Sequence, residues 1–551
     1  MEMELKLNYE LLKDEQFSSY PLDYKSCFNA RGLYHSMQFV LRLRPDLHRL
    51  LDATENGIHS SDKYDFETVQ AFSTYLHETI HWWQHVGSTS GLLLSLSYPV
   101  QAHINHYFLK KYIQHTGLKK PIIRYNELNA KYCKPEDKEF LAINPILNNF
   151  HDIEFFKCLL IQPKSASSVV NDKLFESVGH SFHIIYSSFV SVLSSTFDKD
   201  LNFLPKGNVW HKGFSELRNR KYPNHSYGEP AHICPIGLID LYEGQARFSQ
   251  MQYLYYSSGK SLKWTDFDNL GMLNGVYYSA FEYFLAFTES EKPKDLDSPL
   301  IALYLLILDV AINPAEGFPF DIKDYENFID STHPGLRFVN LCRAVKEKHP
   351  EFKTLIVDFS SSEYYQVSTA LSAAINSPSP LEVAEELCRW SKDEKPIVEL
   401  MREEKTFEFT EENQPIRLLF SQFLKYQKDK LKNPSYFCWT GVYSAGEKVS
   451  DESLNLFLKH QSLFSDKEDG DIYPRKFPDK DEAKVQIAFD TFYTWVATYD
   501  LSRQWIVGDG EFDYDYFWLS SKHSMTDLES WARHHFILAY GVDPTDFDVI
   551  R

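Results

Sequence analysis

Two histidines and a glutamate have a spacing in the sequence that is suited to metal chemistry. His77, Glu78 and His81 match the pattern H-E-x-x-H. Four residues of an α-helix turn through about 400°, so the two imidazoles emerge on one face, about one turn apart, and can bind the same ion. Glu78 lies roughly 100° round the helix, where a carboxylate reaches a water on the metal without binding the metal itself. The pattern predicts a metal site with a general base beside it.

A third histidine, His85, is predicted to lie outside the metal site. Eight residues displace it about 12 Å along the helix axis from His77, whereas a zinc–ligand bond is only about 2 Å long. The longer pattern in which a third histidine follows a glycine turn needs glycine at position 84 and histidine at position 87. The sequence has Gln84 and Gly87 there. We therefore expect His85 to be a neighbour of the metal site or a surface residue.

The third ligand is expected in another part of the chain, because a catalytic zinc ion usually has three protein ligands and one open position. Glu243 is the strongest candidate. It lies in a predicted second ligand helix at about 236–256, and Gly244 and Ala246 beside it have small side chains that would let this helix approach the first one closely. The alternative interpretation is that Glu243 and Arg247 form an ordinary surface pair on a helix.

Two further charged residues of this helix are expected to support the ligands. Arg247 follows Glu243 by one turn and is predicted to orient its carboxylate through a charge-assisted hydrogen bond. Asp240 precedes Glu243 by three residues and is predicted to orient His77 or His81 as a hydrogen-bond acceptor.

The pattern of ligands resembles a known class of enzymes. His77-Glu78-x-x-His81, followed far downstream by Tyr242-Glu243-Gly244-Gln245-Ala246, looks like the zincin metallopeptidases of the gluzincin type. The longer context H-E-x-x-H-x-x-Q-x-x-x-x-T-x-G-L, from His77 to Leu92, is similar to a group of poorly characterised bacterial proteins. The resemblance covers about residues 65–260. The sequence departs from the best-known gluzincins at Arg247, where many of them carry an acidic residue.

The resemblance implies a reaction and roles for the residues. His77, His81 and Glu243 would bind Zn²⁺, and Glu78 would take a proton from the attacking water and pass it to the leaving amine. A further donor should stabilise the oxyanion, and the sequence does not rank the candidates. These candidates are His232, Tyr242, Tyr277 and Tyr278.

Hydrophobic periodicity predicts that helices position these residues. Apolar residues recur every three or four positions over about 65–86, where Asp65 can cap the start and Gly87 suits a left-handed stop. Further helices are predicted at about 92–115, 136–160, 172–196, 236–256, 270–289 and 298–312. A charged loop is expected at 465–482, and a β-hairpin is expected about Gly508-Asp509-Gly510, between 504–507 and 514–519. The predicted fold class is mainly α, or α+β with a small β component.

The chain is expected to divide near residues 331–335, where turn-forming residues accumulate. Residues 1–330 would then form a zincin-like helical catalytic region. Residues 331–551 would form a mostly helical C-terminal region, with the small β-hairpin, that recognises the substrate, regulates access or binds a regulatory partner.

Composition narrows the classes of function. The chain has 551 residues, a net charge of −20 and 43% hydrophobic residues. Such an acidic chain argues against a nucleic-acid or anionic-membrane binder, and the basic clusters at 218–221 and 425–432 are interpreted as solvated surface. The acidic N-terminus has no export signal, and seven scattered cysteines suggest reduced thiols. We expect a cytoplasmic protein.

The leading hypothesis is an intracellular zinc metallopeptidase that acts on a protein or peptide substrate, with a bacterial effector or defence role as a further hypothesis. One alternative is a metal-binding scaffold or pseudo-enzyme that acts through partner recognition. Another is hydrolysis of a non-peptide amide.

Overall fold

The computed structural model describes residues 6–12, 31–52, 65–129, 137–228 and 231–551. It is 66% helical and 4% strand, which confirms the mainly α prediction with a small β part. The helices up to residue 311 are α1 (Tyr9–Leu12), α2 (Pro45–Asp52), α3 (Phe66–Gly87), α4 (Thr89–Thr116), α5 (Ile122–Asn129), α6 (Lys138–Ile161), α7 (Ala166–Val170), α8 (Val178–Phe197), α9 (Trp210–Asn219), α10 (Leu238–Ser257), α11 (Trp264–Asn269), α12 (Val276–Thr288) and α13 (Pro299–Ala311).

Helices also dominate the rest of the chain. They are α14 (Phe328–Thr332), α15 (Pro334–Glu347), α16 (Phe352–Leu355), α17 (Ser361–Ala374), α18 (Pro380–Asp393), α19 (Lys395–Thr406), α20 (Gln414–Lys432), α21 (Pro434–Cys438), α22 (Thr440–Tyr443), α23 (Asp451–Lys459), α24 (Glu482–Val507) and α25 (Met525–Tyr540). No helix in the described ranges combines the length and apolar character needed to cross a bilayer.

Helix α3 begins as predicted but ends differently. The Asp65 side chain accepts a hydrogen bond of 2.7 Å from the Thr68 amide, which caps the first turn. Gly87 is the last helical residue and not a left-handed stop, because Ser88 leaves the helix with an extended backbone and caps α4 through the Gly91 amide. The glycine at position 87 provides space instead, since a Cβ there would lie 2.5 Å from the Tyr426 ring.

Within the described residues, the strands form two small sheets. Their bounds are β1 (Gly32–His35), β2 (Val40–Leu43), β3 (Lys119–Lys120), β4 (Phe464–Asp466), β5 (Ile472–Pro474) and β6 (Asp548–Val549). The larger sheet has the order β1-β2-β4-β5, and the smaller one pairs β3 with β6 in parallel. In the larger sheet β1 and β2 are antiparallel, whereas β2 and β4 are parallel with Val40 opposite Phe464. The larger sheet therefore joins residues 32–43 to residues 464–474.

The β-hairpin predicted near Gly508 is wrong. Residues 504–507 are the last turn of α24, because Leu501 and Trp505 are both fully buried at a helical spacing and extend the apolar face of that helix. Residues 514–519 form turns and irregular chain. The predicted charged loop at 465–482 instead contributes to β4 and contains β5.

Helix α3 lies at the centre of the main core. It packs against α10, α4, α20, α2 and strand β1. The division of the chain near residue 330 stays a prediction. The main hydrophobic core, however, contains residues from Leu11 to Tyr493, so residues on both sides of that position share it.

Two predictions about polar residues have different outcomes. The basic cluster at 425–432 is not simply solvated surface, because Lys425 is buried against Glu404 and Lys430 is buried against Asp309. The described cysteines are free thiols, as expected, and Cys27 and Cys133 lie outside the described residues.

Candidate metal centre

Three side chains from two helices converge on one point. His77 and His81 lie on α3, and Glu243 lies on α10. The Nε2 atoms of His77 and His81 are 3.1 Å apart, and the Oε2 atom of Glu243 is 3.3 Å from each of them. Among the described residues, this is the group of histidine, cysteine and carboxylate side chains whose ligand atoms could hold a metal ion. The structure thus brings together the three ligands expected from the sequence.

The triangle of ligand atoms has the size that zinc requires. Three ligands at about 2.0–2.1 Å from a tetrahedral zinc ion are separated from one another by about 3.3 Å. The buried Oε2 atom of Glu243 lies 3.3 Å from each of the two Nε2 atoms, and these contacts do not have good hydrogen-bond geometry. Two imidazole nitrogens and one carboxylate oxygen that converge on one point are a donor set that suits a metal cation.

Gln84 orients His81, and the sequence analysis did not assign it this role. Its Nε2 atom donates to the Tyr242 carbonyl and to Gln245 Oε1, both at 2.9 Å, which leaves its Oε1 atom as an acceptor. That oxygen lies 2.8 Å from His81 Nδ1. Protonation of Nδ1 leaves the lone pair of Nε2 directed at the ligand triangle. The signal in the sequence was the three-residue spacing between His81 and Gln84 on one helical face.

Polar bridges hold α3 and α10 together along their length. Besides the Gln84 bridge, Gln250 Nε2 donates to Ser73 Oγ at 3.2 Å, and the Tyr242 hydroxyl donates to the Gln84 carbonyl at 3.2 Å. Gly244 does not create the approach to α3 that was expected of it. A Cβ at that position would lie 2.4 Å from the Tyr304 hydroxyl, so the glycine makes room for α13.

The charges of the three side chains favour a cation. Burial opposes a charged imidazole, but the Glu243 carboxylate outweighs it at His81 and raises the pKa of that residue to about 9. Burial lowers the pKa of His77 to about 4. Burial by itself would raise the pKa of Glu243, yet the positive charge on His81 holds it well below the usual range. The positive charge of protonated His81 therefore lies close to the point where a bound metal ion would carry its charge.

Glu78 lies in the same cavity as the ligands. The cavity has a volume of about 290 Å³, and His77, Glu78, His81 and Glu243 all line it. The Glu78 side chain is buried and passes close to strand β1, so that a Cβ on Gly32 would be 2.7 Å from Glu78 Cγ and 2.9 Å from Oε1. The carboxylate of the expected general base thus shares an enclosed space with the ligand triangle.

The two charged residues expected to support the ligands behave differently. Arg247 is buried, and its Nη1 atom donates to Gln250 Oε1 at 2.7 Å. Its Cζ atom lies 4.1 Å from the centre of the Tyr277 ring. Its orientation of Glu243 stays a prediction. Asp240 does not orient His77 or His81, because its carboxylate accepts from the Gly237 amide and the Ser279 hydroxyl. It caps the start of α10.

The structure separates the four oxyanion candidates. Tyr277 lines the cavity with its ring centre 6.1 Å from that of His77, which makes it the best placed. Tyr242 also lines the cavity, but its hydroxyl is engaged with the Gln84 carbonyl and Ser88. Tyr278 packs against Phe248 and is not among the described residues that line the cavity. His232 is exposed and is likewise not among them.

His85 lines the cavity without joining the ligand triangle. Its ring centre lies 5.2 Å from that of Tyr34 and 5.4 Å from that of Tyr242. The displacement of His85 along the helix axis predicted that it would not be a ligand, and its ring lies outside the ligand triangle.

Comparisons with models of protein families, with curated proteins and with solved structures find no match for this chain. The resemblance to gluzincins rests on the sequence motif alone.

Proposed function

We propose that the protein is a zinc-dependent metallopeptidase that hydrolyses peptide bonds in the cytoplasm. The observation that carries the proposal is the convergence of His77, His81 and Glu243 in a cavity that also contains Glu78. Two imidazoles and one carboxylate are a ligand set of catalytic zinc sites, and three protein ligands leave a fourth position for chemistry.

The chain's own residues would divide the work as follows. His77, His81 and Glu243 hold the ion, and Gln84 keeps the Nε2 atom of His81 available for it. When bound, zinc supplies Lewis acidity that makes water more acidic and a carbonyl carbon more electrophilic. Glu78 accepts a proton from the attacking water and delivers it to the leaving amine. Tyr277 is the residue best placed to donate a hydrogen bond to the developing oxyanion.

A metal-binding scaffold is the second candidate function. The observation that favours it is the set of polar bridges between α3 and α10, because a metal ion at their crossing would pin the two helices whether or not it did chemistry. A fourth protein ligand on the bound metal ion would favour this alternative, whereas an open position facing the cavity favours the peptidase.

The proposal is tested by metal analysis and by one substitution. Purified full-length protein should contain one zinc ion per chain and cleave peptides, whereas Glu78→Gln should retain zinc and lose at least about 100-fold in kcat, because it removes the proton acceptor alone. Glu67→Gln, on the first turn of the same helix and not among the described lining residues, is the matched control and should leave activity unchanged. Absence of zinc, or full activity of Glu78→Gln, would refute the proposal.

A further inference from the structure

Two buried arginines line the same cavity as the three ligand side chains. Arg31 precedes strand β1 and Arg247 lies on α10, and these residues are only 3% and 5% exposed. Apart from the histidines, the other charged residues among the described lining residues are Glu78 and Glu243. A guanidinium group keeps its positive charge at ordinary pH. Two permanent positive charges therefore line a cavity that also contains two carboxylates.

These charges leave the zinc-loaded cavity positive. The carboxylates of Glu78 and Glu243 offset the two guanidinium groups, and no described lining residue then offsets the two charges of a zinc ion. An uncompensated charge in a buried cavity is costly, and an anionic group on the substrate would lower that cost. A cationic group would raise it. The cavity therefore favours a substrate that carries a negative charge.

The guanidinium group of Arg247 is held in place by uncharged side chains. Its Nη1 atom donates to Gln250 Oε1 at 2.7 Å, and Gln250 Nε2 donates in turn to Ser73 Oγ of α3 at 3.2 Å. Its Cζ atom lies 4.1 Å from the centre of the Tyr277 ring. A guanidinium group that is already oriented loses little freedom when it binds an anion, which favours affinity.

A carboxylate is the anionic group of unmodified peptides that matches a guanidinium group. Its two oxygens can accept two parallel N–H bonds from the planar fork of an arginine, and both partners are charged. Peptides carry carboxylates at the C-terminus and on the side chains of Asp and Glu. Both sources present the same group to an arginine.

Arg247 lies a short distance from the ligand triangle. It follows Glu243 by one turn of α10, or about 6 Å along the helix axis. An extended peptide covers about 3.3 Å per residue. A carboxylate bound by Arg247 would therefore belong to a substrate residue within about two positions of the bond that is cleaved.

We propose that Arg247 binds a carboxylate group of the peptide substrate, in a cavity to which Arg31 adds a second positive charge. The group is the C-terminal carboxylate or the side chain of an Asp or Glu residue close to the cleaved bond. This inference rests on the proposed peptidase function, because it assumes that a peptide occupies the cavity. Arg247 determines specificity and takes no part in the proton transfers assigned to Glu78.

The first experiment measures cleavage by the zinc-loaded full-length protein on a library of peptides, each prepared as the free acid and as the C-terminal amide. A carboxylate within two residues of the cleaved bond should raise kcat/KM about 10–100-fold over its carboxamide analogue, since hydrogen bonds between charged partners supply this much discrimination. Faster cleavage of free acids identifies the C-terminal carboxylate, and preference for Glu over Gln identifies the side chain. Equal rates for acids and amides, or preference for Lys and Arg, would overturn the inference while leaving the peptidase proposal intact.

The second experiment measures binding and needs no catalysis. Immobilised zinc-loaded Glu78→Gln protein is offered acetylated random hexapeptides built from uncharged residues, and the captured peptides are quantified. One pair of pools differs in a free or amidated C-terminus, and an amidated pair carries Glu or Gln at one fixed position. The carboxylate pool of at least one pair should be retained about 10-fold better, and equal retention within both pairs would overturn the inference. Selective retention of carboxylates, with no cleavage by the unmodified protein, would refute the peptidase proposal alone.

Two variants of Arg247 in the same Glu78→Gln background assign the effect to this residue. The shared background cancels the change in cavity charge that Glu78→Gln itself makes. Arg247→Gln should lose most of the preference for carboxylates without changing zinc content, and Arg247→Lys should retain part of it, because lysine keeps the charge but not the fork. Loss of zinc binding with an unchanged preference would show that Arg247 orients Glu243, and would overturn the inference.

Lys164→Gln is the matched control for the removed charge. Lys164 Nζ lies 3.5 Å from Asp240 Oδ1, so the variant also removes one positive charge beside α10, but Lys164 is not among the described lining residues. It should retain the full preference for carboxylates. An equal loss in this variant and in Arg247→Gln would contradict the assignment to Arg247.

Discussion

At the scale of single residues, the proposed metal centre is expected to depend on Gln84 as well as on the three ligand side chains. The Gln84 side chain fixes the protonated nitrogen of His81 and is itself held by α10. Gln84→Leu should therefore lower zinc affinity about 10–100-fold, because the His81 ring loses the partner that orients it. Competition with a fluorescent zinc chelator measures the effect.

The control for this prediction is Gln252→Leu. Gln252 is also buried, but it lies on α10 and donates to the Leu296 carbonyl. Its loss should therefore leave zinc affinity within about threefold of the original. Equal affinities for the Gln84 variant and the unmodified protein would contradict the role of Gln84.

The pKa of His81 predicts that zinc binding releases a proton. With a pKa of about 9, His81 carries an additional proton at pH 7.5, and zinc must displace that proton to bind Nε2. Zinc affinity should rise about tenfold per pH unit as the pH is raised toward 9, and level off above it. Calorimetry in two buffers of different ionisation enthalpy counts the protons.

Glu243→Gln provides the comparison, because it removes the carboxylate that raises the pKa of His81. It should weaken zinc binding and release fewer protons at pH 7.5. A zinc affinity that does not change between pH 6.5 and 8.5 would contradict the charge distribution described for the site.

Residues whose proposed roles depend on local spacing could be predicted from the sequence. Residues that only tertiary contacts bring together could not. His77, Glu78 and His81 could be read together because a helix fixes their relative positions. The approximate place of Glu243 could be predicted from its own helix. The contact of Gly32 with Glu78 could not be predicted, because nothing in the local sequence indicates that β1 lies along α3.

At the scale of elements, strand β1 sets the position of Glu78. Gly32→Ala would place a Cβ 2.7 Å from Glu78 Cγ, and the carboxylate must move to avoid it. We expect zinc affinity within about threefold of the original and a fall of about 10–100-fold in kcat, since a small displacement of a general base is costly. Parallel zinc titrations and peptide kinetics test this, and a variant with unchanged kcat would disprove the positioning role of β1.

The corner between α3 and α4 also requires a glycine. A Cβ at position 91 would lie 1.9 Å from the Gln84 carbonyl oxygen, a backbone atom that cannot rotate away. Gly91→Ala should lower the free energy of unfolding by about 1–3 kcal/mol, as measured by chemical denaturation. Gly207→Ala is the control, because its nearest neighbour would be at an ordinary 3.5 Å, and similar losses in both variants would contradict the explanation.

Helices were easier to predict than strands for a physical reason. The apolar repeat of a helix such as α3 or α13 lies within one continuous segment. Strand β1 has four residues, and its sheet is completed only when β2 meets β4, about four hundred residues later in the chain. A hairpin was wrongly predicted near Gly508 because a short apolar run beside a glycine is compatible with a strand as well as with the end of a helix.

At the scale of the whole molecule, the residues after 330 complete the core behind the proposed metal centre. Trp83 of α3 donates from Nε1 to the His460 carbonyl at 2.6 Å. Its ring lies among four aromatic side chains from beyond residue 330, which are Tyr426, Tyr436, Phe437 and Phe457. The far face of α3 is therefore buried by residues from beyond position 330.

A protein truncated after residue 330 should consequently fail to fold, and not merely lose regulation. Removing these aromatic contacts exposes a large apolar surface on α3. We expect aggregation or a loss of cooperative thermal unfolding, followed by circular dichroism. A soluble, cooperatively folded fragment that binds zinc would show that residues 1–330 form an independent unit, as the division predicted from the sequence requires.

The most direct test of the central claim is a crystal structure of the zinc-loaded full-length protein with anomalous data at the zinc edge. We expect one anomalous peak, at bonding distance from His77 Nε2, His81 Nε2 and Glu243 Oε2, with its fourth position open to the cavity that contains Glu78. No peak at these three atoms, or a fourth protein side chain that closes the coordination shell, would contradict it.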